Sequence, residues 1–370
     1  MSKMKHAVSY FIKKAADWLF RKRSPALLVF RSGVCLTLAT LVGGWTVSIV
    51  YSDTGQFLEL NYQSSNTAQL FLSIGFFLGG AATVFGAVWE YQTFRDVRKR
   101  NEKKKTIVLE QRGLVDTSDT PLYEFLKNQC SWQVDSIVND IRERIIDNVI
   151  TRPDLALAKL SHIKMSIAEK VTQYAASDIS IVYGGVFPTP FSFYTGYLLD
   201  DESLITRFDW DRDISIWREL DEGDDGEEFV IERPECTVKT VVLAVSISYP
   251  VDRLAISTVF PDQPIHYLSL PSLDRNNHWA KNKQDRLSGD FFEYCKNLLG
   301  LGVENINLIL ASQNSIAFRF GQAYDKRNLP NISIYQYERH QSIKYPWCLR
   351  IPYKVGAEPI IVYTEFKHIA

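Results

Sequence analysis

Two long apolar runs lie close together near the start of the chain. They cover residues 27–51 and 68–89, inside a 63-residue stretch, residues 32–94, that contains no lysine or arginine. About 20 consecutive apolar residues are enough for a helix to cross the hydrocarbon core of a bilayer. Eight basic residues flank this stretch on each side. The pattern predicts two transmembrane helices rather than a pair of buried helices in a soluble core.

The charges around the two runs predict their orientation. The joining loop, residues 52–67, carries Asp53 and Glu59 and no basic residue. Basic flanks stay on the cytoplasmic side of a membrane, so we expect the loop outside and both termini in the cytoplasm. The basic leader, residues 1–26, is either an amphipathic helix on the inner leaflet or a frayed tail.

Small residues in the second run are candidates for helix association. Gly75 and Gly79 are four residues apart, a spacing that allows helix backbones to approach closely in lipid. The contact would form within the hairpin or between subunits. Ordinary glycine content of a membrane helix is the alternative explanation.

The remainder of the chain is acidic. Residues 113–370 hold 26 basic and 36 acidic side chains, which argues against binding of long nucleic acid over a basic face. The five cysteines and six histidines show no metal-ligand spacing, so we expect no metal and no other cofactor. A small anionic ligand remains compatible with this composition, because a pocket can be locally positive.

Hydrophobic periodicity predicts alternating helices and strands after the membrane runs. Charged and apolar patterns predict helices over residues 95–105, 121–150 and 155–176. Together these helices would form a helical linker over residues 95–177. Beyond it, short apolar strands and helices follow one another. The predicted strands are residues 179–183, 240–248 and 306–311, with a helix over residues 289–299. This alternation predicts an α/β fold with a mainly parallel sheet.

An internal repeat divides the region into two related halves. Phe193 and Gly196 recur as Phe318 and Gly321, at an offset of 125 residues. The strand that follows contains Phe208-x-Trp210-Asp211-Arg212 in the first copy and Tyr335-x-Tyr337-Glu338-Arg339 in the second, at an offset of 127. Each unit reads as strand, helix and strand, so we predict two pseudo-symmetric Rossmann-like halves.

The repeat also predicts a composite ligand site. Ligands of open α/β sheets bind beyond the carboxyl ends of the strands, and helix N-termini favour phosphate. Two turns, residues 184–192 and 312–315, precede helices in this position, while aromatic rings could stack bases and two arginines could contact phosphate. Core packing is the alternative for each ring, and an ion pair is the alternative for each arginine. The predicted ligand-binding residues are Gly184, Gly185, Phe187, Phe191, Ser192, Trp210, Arg212, Ser312, Gln313, Asn314, Ser315, Phe318, Tyr337 and Arg339.

These segments resemble the SAVED domain family, whose members resemble two fused CARF-like halves. The matching segments are IVYGGVFPTPFSFYTGYLLDD, VVLAVSISYPVD, INLILASQNSIAFRFGQAYDKR and ISIYQYER. The resemblance implies a sensor domain over residues 178–370, behind a membrane hairpin over residues 27–94. The combination resembles the membrane effectors of bacterial cyclic-oligonucleotide antiphage systems (CBASS).

The resemblance implies a signalling chain. A nucleotidyltransferase makes a cyclic oligonucleotide, expected to be a cyclic di- or trinucleotide. The effector binds it, forms a homo-oligomer and disrupts the inner membrane. Two alternatives stay open: a membrane-tethered phosphodiesterase that uses His340, Arg339 and Lys344, and a receptor that signals to a partner protein. Because no acid–base pair or metal motif stands out in the sequence, the interpretation without catalysis is favoured.

The predicted orientation can be tested with fusions. We expect a fluorescent protein fused at the C-terminus to be fluorescent and alkaline phosphatase fused there to be inactive, because that enzyme needs an oxidising compartment. Alkaline phosphatase inserted after Gln56, in the joining loop, should be active. Phosphatase activity at the C-terminus would contradict the predicted topology.

Overall fold

The protein is described here from a computed structural model that divides into two compact units, Met1–Asn101 and Glu102–Ala370. The structure describes residues 24–42, 45–52, 55–62, 66–129, 133–172, 178–200, 205–235, 238–325, 328–352 and 358–364. The predicted amphipathic leader lies almost entirely outside the described residues.

The first unit is a pair of helices joined by a β-hairpin. Helix α1 spans Pro25–Val42, strands β1 and β2 span Trp45–Ser52 and Gly55–Tyr62, and helix α2 spans Asn66–Lys103. The strands pair in antiparallel register. The first apolar run is therefore shorter as a helix than the sequence predicted, because its second part, rich in β-branched and aromatic residues, forms β1.

Helix α2 has the properties of a membrane span. One segment, Gln69–Lys99, is long and apolar enough to cross a bilayer by length and composition, while the apolar part of α1, Pro25–Leu41, is shorter. The 18 residues of α1 extend about 27 Å at 1.5 Å per residue, close to the thickness of a hydrocarbon core. Large apolar side chains of α2, including Phe71 and Phe77, are exposed. Such a surface suits lipid rather than water.

The two glycines predicted for helix association lie against α1 of the same chain. A Cβ atom built on Gly79 would be 2.5 Å from Thr37 Oγ1, and one built on Gly75 would be 2.6 Å from Thr40 Cγ2. Both distances are shorter than any ordinary carbon contact. Of the two arrangements left open by the sequence, the structure shows the contact within the hairpin.

The second unit begins with a five-stranded sheet in the order β4-β3-β7-β8-β9. The first four strands of this order are parallel, and β9 is antiparallel to β8. The strands are β3 (Lys105–Arg112), β4 (Gln133–Asp140), β7 (Ile179–Val186), β8 (Ile205–Asp211) and β9 (Ile216–Glu219). The intervening elements are α3 (Leu122–Lys127), a 3₁₀ turn (Arg142–Arg144), the short hairpin β5 (Ile145–Ile146) and β6 (Val149–Ile150), α4 (Pro153–Leu160), α5 (Ile163–Val171) and α6 (Thr189–Leu199).

A seven-stranded sheet follows, in the order β10-β12-β11-β13-β14-β15-β16. Strands β12, β11, β13 and β14 are parallel, and antiparallel strands flank them on both sides. The strands are β10 (Val230–Glu232), β11 (Thr240–Ser246), β12 (Ile265–Ser269), β13 (Asn305–Ala311), β14 (Asn331–Gln336), β15 (Trp347–Ile351) and β16 (Ile360–Tyr363). The helices are α7 (Arg253–Val259), α8 (Lys281–Gly300) and α9 (Asn314–Ala323).

The two sheets confirm two pseudo-symmetric Rossmann-like halves. The strand order β4-β3-β7-β8-β9 corresponds to β12-β11-β13-β14-β15, strand by strand. The duplicated unit therefore starts at β3, about 70 residues earlier than the repeat seen in the sequence. The prediction of a helical linker over residues 95–177 is wrong for the segments that form strands β3 and β4.

The incorrect helix over residues 121–150 has a physical cause. Val134, Ile137, Val138 and Ile141 recur at helical spacing, but residues 133–140 pair in parallel with β3 and form a strand. Strand β3 itself is almost entirely buried, as expected for a central strand of a parallel sheet covered on both faces. Tertiary pairing has overridden the local spacing here.

Helices α6 and α9 join the two halves by a reciprocal backbone contact. A Cβ atom built on Gly196 would lie 1.9 Å from the carbonyl oxygen of Phe318, and one built on Gly321 would lie 1.9 Å from that of Phe193. These four residues are the repeated positions of the sequence. Glycine is required at both sites because no other residue lets the helices approach this closely.

This contact predicts that Gly196→Ala and Gly321→Ala each lower the free energy of unfolding. We expect a loss of about 1–3 kcal/mol or more, because the added carbon overpacks a backbone contact. Unfolding of the full chain in detergent, followed by tryptophan fluorescence in urea, measures the effect.

Gly289→Ala is the matched control. Gly289 lies in the exposed middle of α8, and a Cβ atom there has no neighbour within 4 Å. The substitution should stabilise by about 0.5–1 kcal/mol, because alanine is the better helix former. Equal effects of the three substitutions would contradict the close-contact explanation.

Candidate ligand-binding site

A small cavity lies between the two halves, where β7, β8 and β13 end. Its volume is about 130 Å³. It is lined by Leu114, Val186, Phe187, Thr189, Asp209, Trp210, Arg212, Tyr249, Ser312, Gln313 and Asn314. Because parallel strands end at the same edge of their sheet, the fold brings these segments together at the place where α/β folds bind ligands.

The structure brings six of the predicted residues to this cavity. They are Phe187, Trp210, Arg212, Ser312, Gln313 and Asn314. Tyr337 and Arg339, the equivalents of Trp210 and Arg212 in the second half, do not line it. The two predicted arginines therefore do not converge on one ligand.

Arg212 is the cationic group of the cavity. Its side chain is exposed, and among the described residues its guanidinium has no hydrogen bond or ion pair. The alternative of an ion pair with a neighbouring acid is therefore not what the structure shows. An unpaired guanidinium at the mouth of a cavity can donate two parallel hydrogen bonds to a phosphate.

The prediction of a phosphate-binding site at the start of α9 is wrong, because the carboxylate of Asp209 occupies that position. Its Oδ2 accepts the backbone N–H of Ser315 at 3.0 Å, and its Oδ1 accepts that of Trp210 at 2.9 Å. The carboxylate, 3 % exposed, therefore occupies the helix terminus that the sequence assigned to phosphate. A second anion there would meet like charge.

The predicted phosphate-binding turn before α6 also offers few free backbone N–H groups. Gly184 and Gly185 belong to β7, where they allow close packing, and a Cβ on Gly184 would lie 2.5 Å from Leu122 Cδ2. At the helix start, the N–H groups of Phe191 and Ser192 already donate to the carbonyl of Pro188. Pro190 has no N–H, so the terminus has few free donors.

Most of the predicted base-stacking rings belong to the core. Phe318 stacks on Tyr183, with centroids 3.7 Å apart, and Phe191 packs 5.4 Å from Trp347. Both predicted rings are fully buried, so core packing, the alternative given above, describes them. Tyr337 is 43 % exposed but lies away from the cavity.

Trp210 and Phe187 present only part of their rings to the cavity. Trp210 makes an edge-on contact with Trp217 at 5.2 Å and is 8 % exposed. Phe187 is 2 % exposed. Tyr249 is the more accessible ring, 38 % exposed, and its hydroxyl accepts a hydrogen bond from Gln313 Nε2 at 2.9 Å.

Asn314 links the two halves through a buried polar network. Its Nδ2 donates to the carbonyl of Phe187 at 2.8 Å and to Ser192 Oγ at 2.7 Å, and its Oδ1 lies 2.7 Å from Tyr183 Oη. Burial raises the pKa of Tyr183 far above its ordinary value, so its hydroxyl stays protonated. The polar atoms of Asn314 are thus already used within the protein.

Sequence reasoning missed Asp209, Leu114 and Tyr249. Asp209 stands between two residues of the repeated motif, and a carboxylate was not expected in a phosphate site. Leu114 and Tyr249 follow β3 and β11, the equivalent strands of the two halves. Recognition of β3 as a strand would have placed Leu114 at the carboxyl edge, where the predicted strand over residues 240–248 already placed Tyr249.

Two other depressions in the described part of the chain are less suited to the ligand. One of about 910 Å³ lies at the C-terminal end of α8, where β13 begins, hence at the amino edge of the strands. Another of about 610 Å³ contains His340 beside Asp147 and does not include Arg212. Among the described residues no group of histidine, cysteine and acidic side chains could hold a metal.

Comparisons with known proteins match two families. Residues 5–157 match the SAVED-fused 2TM effector domain, and residues 163–351 match the SMODS-associated and fused to various effectors sensor domain, SAVED. The boundary between the two matches falls inside the first half of the second unit. No curated protein matches the chain.

Among solved structures, Cap4 SAVED/CARF-domain containing receptors are similar to this chain at TM-scores below 0.5. That of Acinetobacter baumannii with the cyclic trinucleotide 2'3'3'-cAAA has a TM-score of 0.46 at 10 % identity, covering 74 % of this chain and 59 % of that one. That of Moraxella osloensis has a TM-score of 0.43 at 9 % identity, covering 76 % and 60 %. The chain thus spans about 60 % of the length of these receptors. Since the SAVED match covers half of the sequence, the chain belongs to the SAVED family of sensor domains, joined here to a two-transmembrane effector domain.

Proposed function

We propose that this protein is an antiphage effector that binds a cyclic oligonucleotide in its SAVED domain and disrupts the inner membrane. The observation that carries the proposal is the cavity between the halves, with the unpaired Arg212 at its mouth. Family membership supports it, because a sensor domain and a membrane effector domain occur in one chain.

The ligand is a cyclic di- or trinucleotide. Sites that enclose a drug-sized molecule have volumes of about 300 Å³ or more, so a cavity of about 130 Å³ receives one corner of a ring rather than the whole ligand. Arg212 is placed to contact a phosphate at that corner. The Cap4 receptor of Acinetobacter baumannii is described with cyclic trinucleotides, which makes cyclic tri-adenylate a suitable first probe.

The domain acts by assembly rather than catalysis. A two-helix hairpin is too small to enclose a pore, so disruption needs many hairpins brought together. The ligand drives this assembly only when the assembled form binds it more tightly than the free form. Assembly then raises the local concentration of the membrane helices, which turns weak contacts into stable ones.

The pathway places the protein in the inner membrane with both termini in the cytoplasm. A nucleotidyltransferase supplies the ligand on the same side, and the lipid bilayer is the target. The basic residues on both sides of the hairpin support this orientation, because basic flanks stay on the cytoplasmic side of a membrane.

Replacing Arg212 tests the site. We expect Arg212→Ala to weaken binding of the best cyclic di- or trinucleotide roughly ten- to a hundredfold, because one charge-assisted contact is lost. Arg339→Ala is the matched control and should bind normally, since Arg339 follows the equivalent strand β14 but lies outside the cavity. Calorimetry on the full chain in detergent measures both. Normal binding by Arg212→Ala would show that the ligand lies elsewhere.

Replacing Gly79 tests the coupling to the membrane. Gly79→Leu should abolish ligand-induced leakage of liposomes while leaving ligand binding intact, because the side chain would separate α1 from α2. Gly80→Leu is the control, since a Cβ atom on Gly80 has no neighbour within 4 Å. Dye release from liposomes reports leakage, and full leakage by Gly79→Leu would mean that packing of the hairpin is not needed.

A further inference from the structure

Asp209 has unused hydrogen-bonding capacity inside the cavity. Each carboxylate oxygen accepts one backbone N–H, from Trp210 and Ser315. A carboxylate offers about four acceptor positions, so about two remain. The residue lines the cavity although it is 3 % exposed, which leaves the cavity as the direction from which a further donor could approach.

No cation of the described residues forms an ion pair with Asp209. His278 is the nearest candidate, with Nε2 3.7 Å from Asp209 Oδ2, beyond hydrogen-bonding distance. Burial lowers the pKa of His278, so its imidazole is neutral at pH 7. Arg212 lies at the exposed mouth. The floor of the cavity therefore carries negative charge and disfavours a phosphate there.

A second acceptor, Gln313 Oε1, also favours a ligand group that donates hydrogen bonds. Gln313 directs its Nε2 to the carbonyl of Arg275 at 2.8 Å and to Tyr249 Oη, which leaves its Oε1 without a donor among the described residues. Two lining residues with unused acceptor positions favour a group that donates hydrogen bonds. The exocyclic amines of adenine and cytosine are such donors, whereas hypoxanthine and uracil present carbonyl oxygens in the corresponding places.

We propose that this cavity is a nucleobase subsite and that Asp209 selects a base with an exocyclic amine. The inference rests on the proposed function, since it assigns the part of the cyclic oligonucleotide that enters the cavity. Arg212, at the mouth, then contacts the phosphate beside the seated base. The cavity volume suits one planar base.

The second half lacks an equivalent subsite. At the offset of 127 residues, Gln336 replaces Asp209, and at the offset of 125, Pro190 stands in place of Ser315. Proline has no N–H to orient an acceptor, and Gln336 Oε1 has no hydrogen-bond partner in the described structure. The duplication thus gives one carboxylate subsite in each chain.

The test compares two probes that differ at one group. Cyclic tri-adenylate carries the amine, and cyclic tri-inosinate carries an oxygen in its place. We expect the full chain in detergent to bind the adenylate at least tenfold more tightly, measured by calorimetry, and Asp209→Asn to remove or invert that preference. Asparagine has one acceptor oxygen, so it can keep the N–H of Ser315 but loses that of Trp210, and its amide NH2 can donate to the inosine oxygen.

Asp211→Asn is the matched control. It makes the same change two residues away, outside the cavity, and should keep the preference. Equal binding of the two probes by the unaltered protein, or an unchanged preference in Asp209→Asn, overturns the subsite while leaving the proposed function intact. No binding of any cyclic di- or trinucleotide overturns both. Should Asp209→Asn fail to fold, the comparison of probes on the unaltered protein still decides.

Discussion

The reciprocal contact between α6 and α9 is the constraint on which the second unit depends. Gly196 and Gly321 let each helix approach the carbonyl of a phenylalanine in the other, and this fixes the distance between the two sheets. Asp285 of α8 reinforces the arrangement, since it pairs with Arg207 at 2.8 Å and Arg319 at 2.7 Å. The cavity exists because two strand edges are held at this separation.

The sequence predicted those parts of the fold that local patterns encode. The strand at residues 306–311 and the repeated glycines could be found because burial on both faces and a strict offset leave a clear signal. Strand β3 was missed since it follows directly on α2, and β4 because its apolar residues also fit a helix. Pairing between distant strands decides such cases, and no local pattern contains it.

The candidate cavity lies at the edge of the sheets where the sequence predicted a ligand site, but its side chains differ in part from those predicted. Strand order alone brings Arg212 and Gln313 to one edge, so topology was sufficient to find them. The identity of the group at the start of α9 depends on Asp209, which reaches it from the other half across 106 residues of sequence. Only the three-dimensional structure shows that a carboxylate, and not a ligand, accepts this N–H.

The small size of the cavity has a consequence for the number of chains that one ligand can bind. A ring that seats one base in about 130 Å³ keeps its other corners outside, where a second chain can take them. Under the proposed function, a ligand bound to two chains in this way is a crosslinker, and crosslinking is strongest when binding sites and ligand corners are about equal in concentration. A large excess would place a separate ring on every chain. The response to rising ligand would then pass through a maximum and fall.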